Sequence, residues 1–437
     1  MRSPLTDHTS CPAAKKPIAG RILWTCAVVA LAATVRVAPA QAQVDGAPPG
    51  MLTESEAVRR ALARPALADA VEGAVGVARS EAVRESLWPD PELSYNREET
   101  FGGQGVAQDV LMVSQRFDVS GRRGLRTTAA SHRAQAVSHA GDARRVAVEA
   151  EVRLRFHELL VAQHRVAAVE GWVRRIDSAL EVVARREAAG DASAYDRRRL
   201  ERERANARAR LAAHRAEGDR AWARLAALMG ETTAAGESPP PLAGALMPDV
   251  PLSVEQLVTR IESRPDILAL DAEVAAAQAD GDAAARWWVP KPGLGLGWTG
   301  IEQGPGRTDG YVAMVTMSVP LFDRKQDEEL RAASEARLAR GRRELAVTEA
   351  SGEAQGRAVE LSRLVEAARH FRRDAVGESA ALMRTAEAGY AGDELGILDL
   401  LDAYRGGLDD EMTALDLEIA ARRARVELDL LTGGHAP

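Results

Sequence analysis

Asp399 and Asp402, in the stretch LDLLDA (398–403), stand three residues apart, which puts both carboxylates on one face of a helix. Tyr390, Asp393 and Glu394 lie just upstream, in YAGDELGIL (390–398). A carboxylate pair that recurs in several copies around an axis makes a field that attracts cations and repels anions. The plain alternative is a solvated helix face. Farther back, DRRRLERERANARAR (196–210) alternates arginine and glutamate at i, i+3 and i+4, a spacing that reads as a salt-bridged, solvated helix.

Other chemistries are not supported. HELLVAQH (157–164) is not the i, i+4 His-Glu-x-x-His pattern, and His132/His139 and His157/His164 are pairs seven apart. No carboxylate–histidine cluster has ligand spacing, so neither a metal nor another cofactor is expected. There is no P-loop, no G-x-S-x-G elbow and no cysteine nucleophile. GLGLG (293–297) lacks the strand-before, helix-after setting of a dinucleotide loop. An enzyme is therefore not expected. With formal charge −7 over 437 residues, a nucleic-acid partner is not expected either.

The elements that would carry these residues come in two copies. ARPALADAVEGAVGVA (63–78) matches SRPDILALDAEVAAAQ (263–278), and LMVSQRFDVSGRR (111–123) matches AMVTMSVPLFDRK (313–325). AAGDASAYD (188–196) parallels YAGDELGIL (390–398), and LAALMG (225–230) parallels LDLLTG (428–433). An offset that stays between 200 and 203 marks duplication of one unit. The first repeat is placed at 43–229 and the second at 253–434, with a Pro/Gly-rich linker at 230–252.

Each repeat reads helix, strand, loop, strand, long helix, turn, helix. SLWPDPELSY (86–95) and ARWWVPKPGLGLGW (285–298) are the helix-to-strand junctions, because proline stops helices and biases its predecessor to extended geometry. The long helices span roughly 65 residues, about 100 Å, too long for one core, so they must pack side by side. Val152, Leu159, Val166, Val173 and Leu180 recur every seven residues, with Ala162, Val169, Ile176 and Val183 three positions on. That is a coiled-coil seam. In the last helix Ile397, Leu408, Ile419 and Leu430 recur every eleven, a period of nearly straight helices.

Strands are expected at about 92–99, 109–119, 292–299 and 311–319, joined by loops at 101–108 and 299–310. Leu111, Val113, Phe117 and Val119 share one face of the second; Leu294, Leu296 and Trp298 alternate with glycines in the third. This is the period-two pattern of a lipid-facing barrel. Trp88, Trp287, Trp288, Phe117 and Phe322 fall at the helix-side ends, and with Trp298 they are the expected membrane-interface aromatics. Four strands cannot close a barrel, and lipid does not tolerate open edges, so the chain must oligomerise; a trimer gives twelve strands. Three copies of Asp399 and Asp402 would then bring six acids together around the axis.

The N-terminus reads as an export signal over 1–42. Lys15, Lys16 and Arg21 precede the apolar run ILWTCAVVALAATV (22–35), followed by small-residue cleavage sites at Ala38-x-Ala40 and Ala40-x-Ala42. The run is short of the ~20 residues that span a bilayer. Both cysteines, Cys11 and Cys26, lie in this segment, and Cys26 sits inside the run, so a lipid anchor is not expected.

Over essentially all of the mature sequence the chain resembles the TolC-type outer-membrane efflux proteins. The resemblance rests on the duplicated plan, on SVPLFDRK (318–325) and on YAGDELGILDLLDAYRGGLDDE (390–411); GDASAYDRRRLERERANARARL (190–211) resembles the heavy-metal, cobalt–zinc–cadmium branch. It implies a mainly α fold with a small transmembrane β part: a trimeric twelve-stranded barrel in the outer membrane, continued by a periplasmic helical tube. It also implies a periplasmic adaptor (membrane fusion protein) and an inner-membrane pump, of the resistance-nodulation-division type or an ABC transporter, with passive export of metal ions, drugs or other small toxic compounds.

By the same resemblance the helix tips Gly190-Asp191 and Gly392-Asp393 dock the adaptor, and Asp399, Asp402, Tyr390 and Glu394 form the periplasmic gate. The family's closing arginine is absent after Tyr390, so Arg384, Arg405, Arg185 or Arg186 would have to replace it. Two rival readings stay open: a type I protein-secretion duct, and a periplasmic coiled-coil scaffold whose hairpins only mediate association.

Overall fold

The computed structural model describes residues 50–434 apart from 101, 103–104, 235–236, 250–258 and 319–320. The expected signal segment, with Cys11 and Cys26, lies outside the described residues, as do the first residues of each expected repeat. A short β1 (Leu52–Thr53) leads into α1 (Glu54–Leu62) and α2 (Pro65–Ser86). Strands β2 (Glu92–Glu99) and β3 (Val106–Arg116) precede α3 (Arg122–Ala189), α4 (Ala194–Met229) and β4 (Leu242–Ala243). The second series is α5 (Pro265–Ala284), β5 (Lys291–Gln303), β6 (Gly306–Ser318), α6 (Gln326–Phe371), a π turn (Arg372–Val376), α7 (Gly377–Ala391) and α8 (Ile397–Leu431).

Shorter helices stack end to end along each long one, and the repeated Arg-Pro makes the joint. Pro65 and Pro265 occupy the first turns of α2 and α5, where a missing N–H costs nothing. The preceding arginines reach the C-termini of the helices behind them: Arg64 Nη1 donates to the Leu228 carbonyl (3.1 Å) and Arg264 Nη1 to that of Leu431 (3.2 Å). A cation there satisfies orphan carbonyls and suits the negative end of the helix dipole. α2 and α4 thus both lie on α3, and α5 and α8 on α6.

The 68-residue α3 is unbroken, about 100 Å at 1.5 Å per residue. Its counterpart is interrupted by the π turn, a departure from the single long helix expected. Arg372 anchors that turn, donating to Glu411 (2.7 Å) and Glu418 (3.0 Å) on α8, while Ser379 donates to Asp410. Within the coiled-coil seam, Val169, Ile176 and Val183 are fully buried, but Val166, Val173 and Leu180 are half-buried. A straight helix drifts about 20° per heptad, so one row of a strict seven-residue repeat leaves the core. The eleven-residue row fails in the same way at its end: Ile397, Leu408 and Ile419 are buried, whereas Leu430 is exposed.

Near the middle of α3, Phe156, Leu159 and Leu160 form a core with Leu52, Trp222, Leu225, Leu242 and Leu415, under the parallel β1–β4 pair. Beside it is a charged node. Arg153 Nε donates to Glu54 (2.6 Å) and its Nη2 to Asp429 (2.9 Å), while His157 Nε2 meets Glu54 at 3.0 Å. Burial works to raise the Glu54 pKa, but the His157 hydrogen bond and the Arg153 guanidinium outweigh it and hold the carboxyl at about 2, down from 4.5. Burial pulls His157 below its usual 6.5. The ring is therefore neutral at pH 7 and its Nε2–H donates to Glu54.

Both groups bind fewer protons folded than unfolded, so stability is lost as pH falls, first through the histidine range below 6.5 and then between about 4.5 and 2. The Glu54 share amounts to about 3 kcal/mol. Glu54→Gln is expected to cost about 1–3 kcal/mol at pH 7 and to flatten the acid limb below pH 4.5, read by helical circular dichroism in denaturant series across pH.

The four longer strands form one antiparallel sheet in the order β2-β3-β5-β6, so the two halves join at β3–β5. Its extents correct the sequence reading. β3 starts at Val106 and stops at Arg116, short of Phe117 and Val119. The Asp118 carboxylate takes the Ser120 (3.0 Å) and Arg123 (2.9 Å) amides, turning the chain into α3 instead of continuing the strand. β5 and β6 run to Gln303 and from Gly306, so most of the loop expected at 299–310 is strand. Val319, the expected end of the last strand, lies outside the described residues. No described helix is long and apolar enough to cross a membrane.

Candidate functional site

The helix pairs turn back at 190–193 and 392–396. In the first tip Gly190 (φ +86°) is the left-handed residue that ends α3, and Asp191 N–H bonds back to the Arg186 carbonyl (2.8 Å). Ser193 and Asp196 then cap α4 reciprocally, each side chain accepting from the other's amide at 3.2 Å. The second tip differs from the alignment of Gly190 with Gly392. Gly392 has φ −87°, and Asp393 takes the left-handed position at φ +64°. Aspartate is among the few residues that tolerate it. Gly389 also eases the turn: a Cβ there would sit 2.7 Å from Leu395 Cδ1, so any larger residue would force the Leu395 side chain to shift.

Arg186 ties the tips together. Its Nη1 donates to the Tyr390 carbonyl (2.5 Å), its Nη2 pairs with Asp393, and the guanidinium lies 5.1 Å from the Tyr390 ring centre. Of the four candidate replacements for the family arginine, the structure therefore brings Arg186 to Tyr390. Arg405 is engaged with Glu203 on α4. Tyr390 is buried and packs among Ile176, Val183, Ile397, Leu400 and Leu401; its hydroxyl has no partner among the described residues. Burial pushes its pKa up.

Asp399 and Asp402 are exposed, on the side of α8 opposite its buried residues Ile397, Leu400, Leu401 and Tyr404. Asp399 also caps α8, its carboxylate accepting the Gly396 amide at 2.9 Å. Glu394 and Asp191 are exposed at the tips. A polar contact chain behind them, running from buried Tyr404 out to the surface, escapes the sequence reading. Tyr404 donates to Glu387 (3.1 Å), which also accepts from Arg175 (2.8 Å), and these line a cavity of about 500 Å³ with Tyr390. The only sequence signal for Tyr404 is its place on the apolar face of α8. Among the described residues no group of three or more His, Cys, Asp or Glu side chains is placed to hold a metal ion.

At the opposite end of the helices the aromatics fall into two places. Trp88 stacks under Arg123 (3.8 Å) and meets Phe117 edge-on (6.2 Å), and Trp88, Trp288 and Phe322 are all exposed. Trp287 is half-buried beside Arg324. Trp298 is not with them. It lies well along β5 from the helix-side end, with Leu111 as its neighbour on β3 and Tyr311 as its neighbour on β6.

Comparison with known proteins accords with this architecture. The model of the outer membrane efflux protein family matches residues 91–231 and 257–434. The nickel-cobalt-cadmium resistance protein NccC of Alcaligenes xylosoxydans xylosoxydans is 24% identical over 257 residues, 58% of this chain and only 57% of that relative's length. Outer membrane protein OprJ of Pseudomonas aeruginosa is 27% identical over 335 residues, 73% of this chain and 68% of its own. The fold is that of CusC (TM-score 0.72, 19% identity, 87% of this chain and 92% of that one) and of the Neisseria gonorrhoeae MtrE outer membrane channel (TM-score 0.70, 19% identity, 87% and 89%). With more than half of its length matched by the family model, the chain belongs to the outer membrane efflux protein family.

Proposed function

We propose that the protein is the outer-membrane exit duct of a tripartite efflux system, a homotrimer that passively conducts metal ions or small toxic compounds delivered by an inner-membrane pump. One observation carries this reading: a four-stranded sheet whose edges, β2 and β6, have no partner strand among the described residues and whose apolar face is exposed, mounted beside a helix about 100 Å long. Edges of that kind are tolerated in lipid only if a neighbouring chain pairs with them, and three copies give a twelve-stranded barrel. The duplicated halves, 43–229 and 253–434, supply two strands each, after removal of a signal at 1–42.

A periplasmic adaptor would dock at the tips, on Gly190, Asp191, Gly392 and Asp393, and an RND-type pump would supply the energy. The likeness to a nickel-cobalt-cadmium resistance protein favours metal ions as cargo. Arg186, Tyr390 and Asp393 would hold the periplasmic end closed, with Glu394, Asp399 and Asp402 giving it cation preference.

Planar-bilayer recording of the purified protein tests both parts. Ion-conducting pores are expected. Asp399→Asn combined with Asp402→Asn should lower the cation-to-anion permeability ratio by roughly threefold or more and relieve block by divalent cations. Because Asp399 also caps α8, the amide is the right replacement: its side-chain oxygen still accepts the Gly396 amide. Unchanged selectivity would remove both residues from the conduction path.

A further inference from the structure

The register of the sheet places side chains of one face in ordered rows. Reading from the helix side, the rows are Pro292–Met317, then Gln115–Leu294–Val315, then Leu93–Val113–Leu296–Ala313, then Tyr95–Leu111–Trp298–Tyr311. The next row is Arg97–Asp109–Gly300–Asp309, and the one after it Glu99–Ala107–Glu302–Arg307. The apolar rows are open to the surroundings: Leu93, Leu296, Val315 and Tyr311 are 68%, 70%, 75% and 88% exposed. The change from apolar to ionic comes at one row on β2, β3 and β6 (Arg97, Asp109 and Asp309), while β5 carries Gly300 there and turns ionic one row on, at Glu302. A protein partner would leave a bounded patch, whereas a lipid slab imposes one limit on every strand.

We propose that the outer edge of the lipid hydrocarbon lies at the Tyr95–Leu111–Trp298–Tyr311 row, and that the remainder of the β5–β6 hairpin stands beyond it in water and headgroups. This rests on the channel reading above. The strand from Met317 to Tyr311 covers about 20 Å of path, or about 15 Å of height at a tilt near 40°, and the collar of Trp88, Trp287, Trp288 and Phe322 adds to it beneath. Together these approach the ~25 Å apolar band, girdled by aromatics on both sides, of outer-membrane barrels. A strand tilt near 40° would carry the row through roughly 9 Å of height across four strands, a depth comparable with the headgroup layer.

Local chemistry at the row fits an interface. A Cβ on Gly300 would come within 2.7 Å of the Trp298 ring, so the indole lies over that glycine, toward the ionic rows. Arg307 covers it at 5.0 Å from the ring centre and also pairs with Glu302 (3.1 Å) and Asp309 (3.3 Å). The Tyr95 hydroxyl likewise points to the ionic side, donating to Asp109 (2.7 Å), which also accepts from Arg97 (3.1 Å). Apolar bodies with polar tips aimed one way are the arrangement of an interfacial belt.

A cysteine scan of one strand tests the boundary without reference to tilt. In the full chain with Cys11→Ser and Cys26→Ser, single variants Val315→Cys, Ala313→Cys, Asp309→Cys and Arg307→Cys are treated with a membrane-impermeant maleimide. Intact cells and lysed-cell membranes are compared. Positions 307 and 309 should react in intact cells about tenfold or more faster than 313 and 315, which should stay protected even in lysed-cell membranes, because hydrocarbon disfavours the thiolate. Reaction at 313 or 315 in intact cells, or protection at 309, overturns the boundary while leaving the channel intact. No reaction anywhere in intact cells, with reaction at all four positions after lysis, overturns the channel reading as well.

Discussion

Gly297→Val is expected to abolish the assembled protein, leaving no heat-resistant oligomer on a gel and no pores in a bilayer. Gly297 pairs with Met112 where β3 meets β5, the one seam between the two halves of the sheet. A Cβ at this position would lie 2.4 Å from the Leu111 carbonyl oxygen and 2.9 Å from Met112 Cα. Those atoms are backbone, so no rotamer change relieves the clash and the strands must separate. Gly295→Ala is the graded comparison, since its Cβ would meet the Met112 sulfur at 3.1 Å, a flexible group that can withdraw. Gly124→Ala in α3, with nothing within 4 Å, should assemble normally and gain up to about 1 kcal/mol in helix propensity.

Arg186→Ala should raise open probability in bilayer recordings severalfold and admit larger solutes, because it removes three contacts with the second tip at once. Arg186→Lys should rescue little, for an ammonium cannot donate along two directions from one plane or stack on Tyr390. Asp393→Ala should have a smaller effect. The Asp393 side chain is 81% exposed, so water and salt screen its ion pair, whereas the bond to the Tyr390 carbonyl is more sheltered. Asp393→Gly loses the same pair but relieves the left-handed backbone at φ +64°, and should fall between Asp393→Ala and the unaltered chain. Equal open probability and equal solute size limit for Arg186→Ala and the unaltered protein would show that this contact does not hold the end closed.

Much of the fold is legible in the sequence because its punctuation is local. Proline at 65 and 265, the Pro-x-Pro junctions before β2 and at the start of β5, and the glycine-bearing turns each act on their own few residues. The limits of the strands are less legible. Glycine, proline and charge between 299 and 310 carry the signature of a loop, yet paired strands can continue with such residues once they have left the apolar band. At the other end, Phe117 and Val119 keep the strand's alternation but are taken by the cap that Asp118 builds for α3.

The tip shows the same division. The acidic pair on α8 follows from helical spacing and Tyr390 is singled out by the family resemblance, whereas its burial and the choice of Arg186 depend on how closely the end of α3 approaches the turn after α7. No local pattern encodes that approach. The left-handed residue is equally hidden: the alignment of the two tips points to Gly392, and the turn instead uses Asp393. The Tyr404–Glu387–Arg175 contacts depend on where α8 sets the buried Tyr404, which only its packing against its neighbours reveals.

The most direct measurement is the mass of the detergent-extracted particle. On the proposed reading the sheet faces lipid on one side, and three chains close it around one axis. A particle containing three copies, with no chain population lighter than that, is the predicted result. A stable monomer that remains soluble without detergent, its hairpins shielded by its own helices, would contradict it.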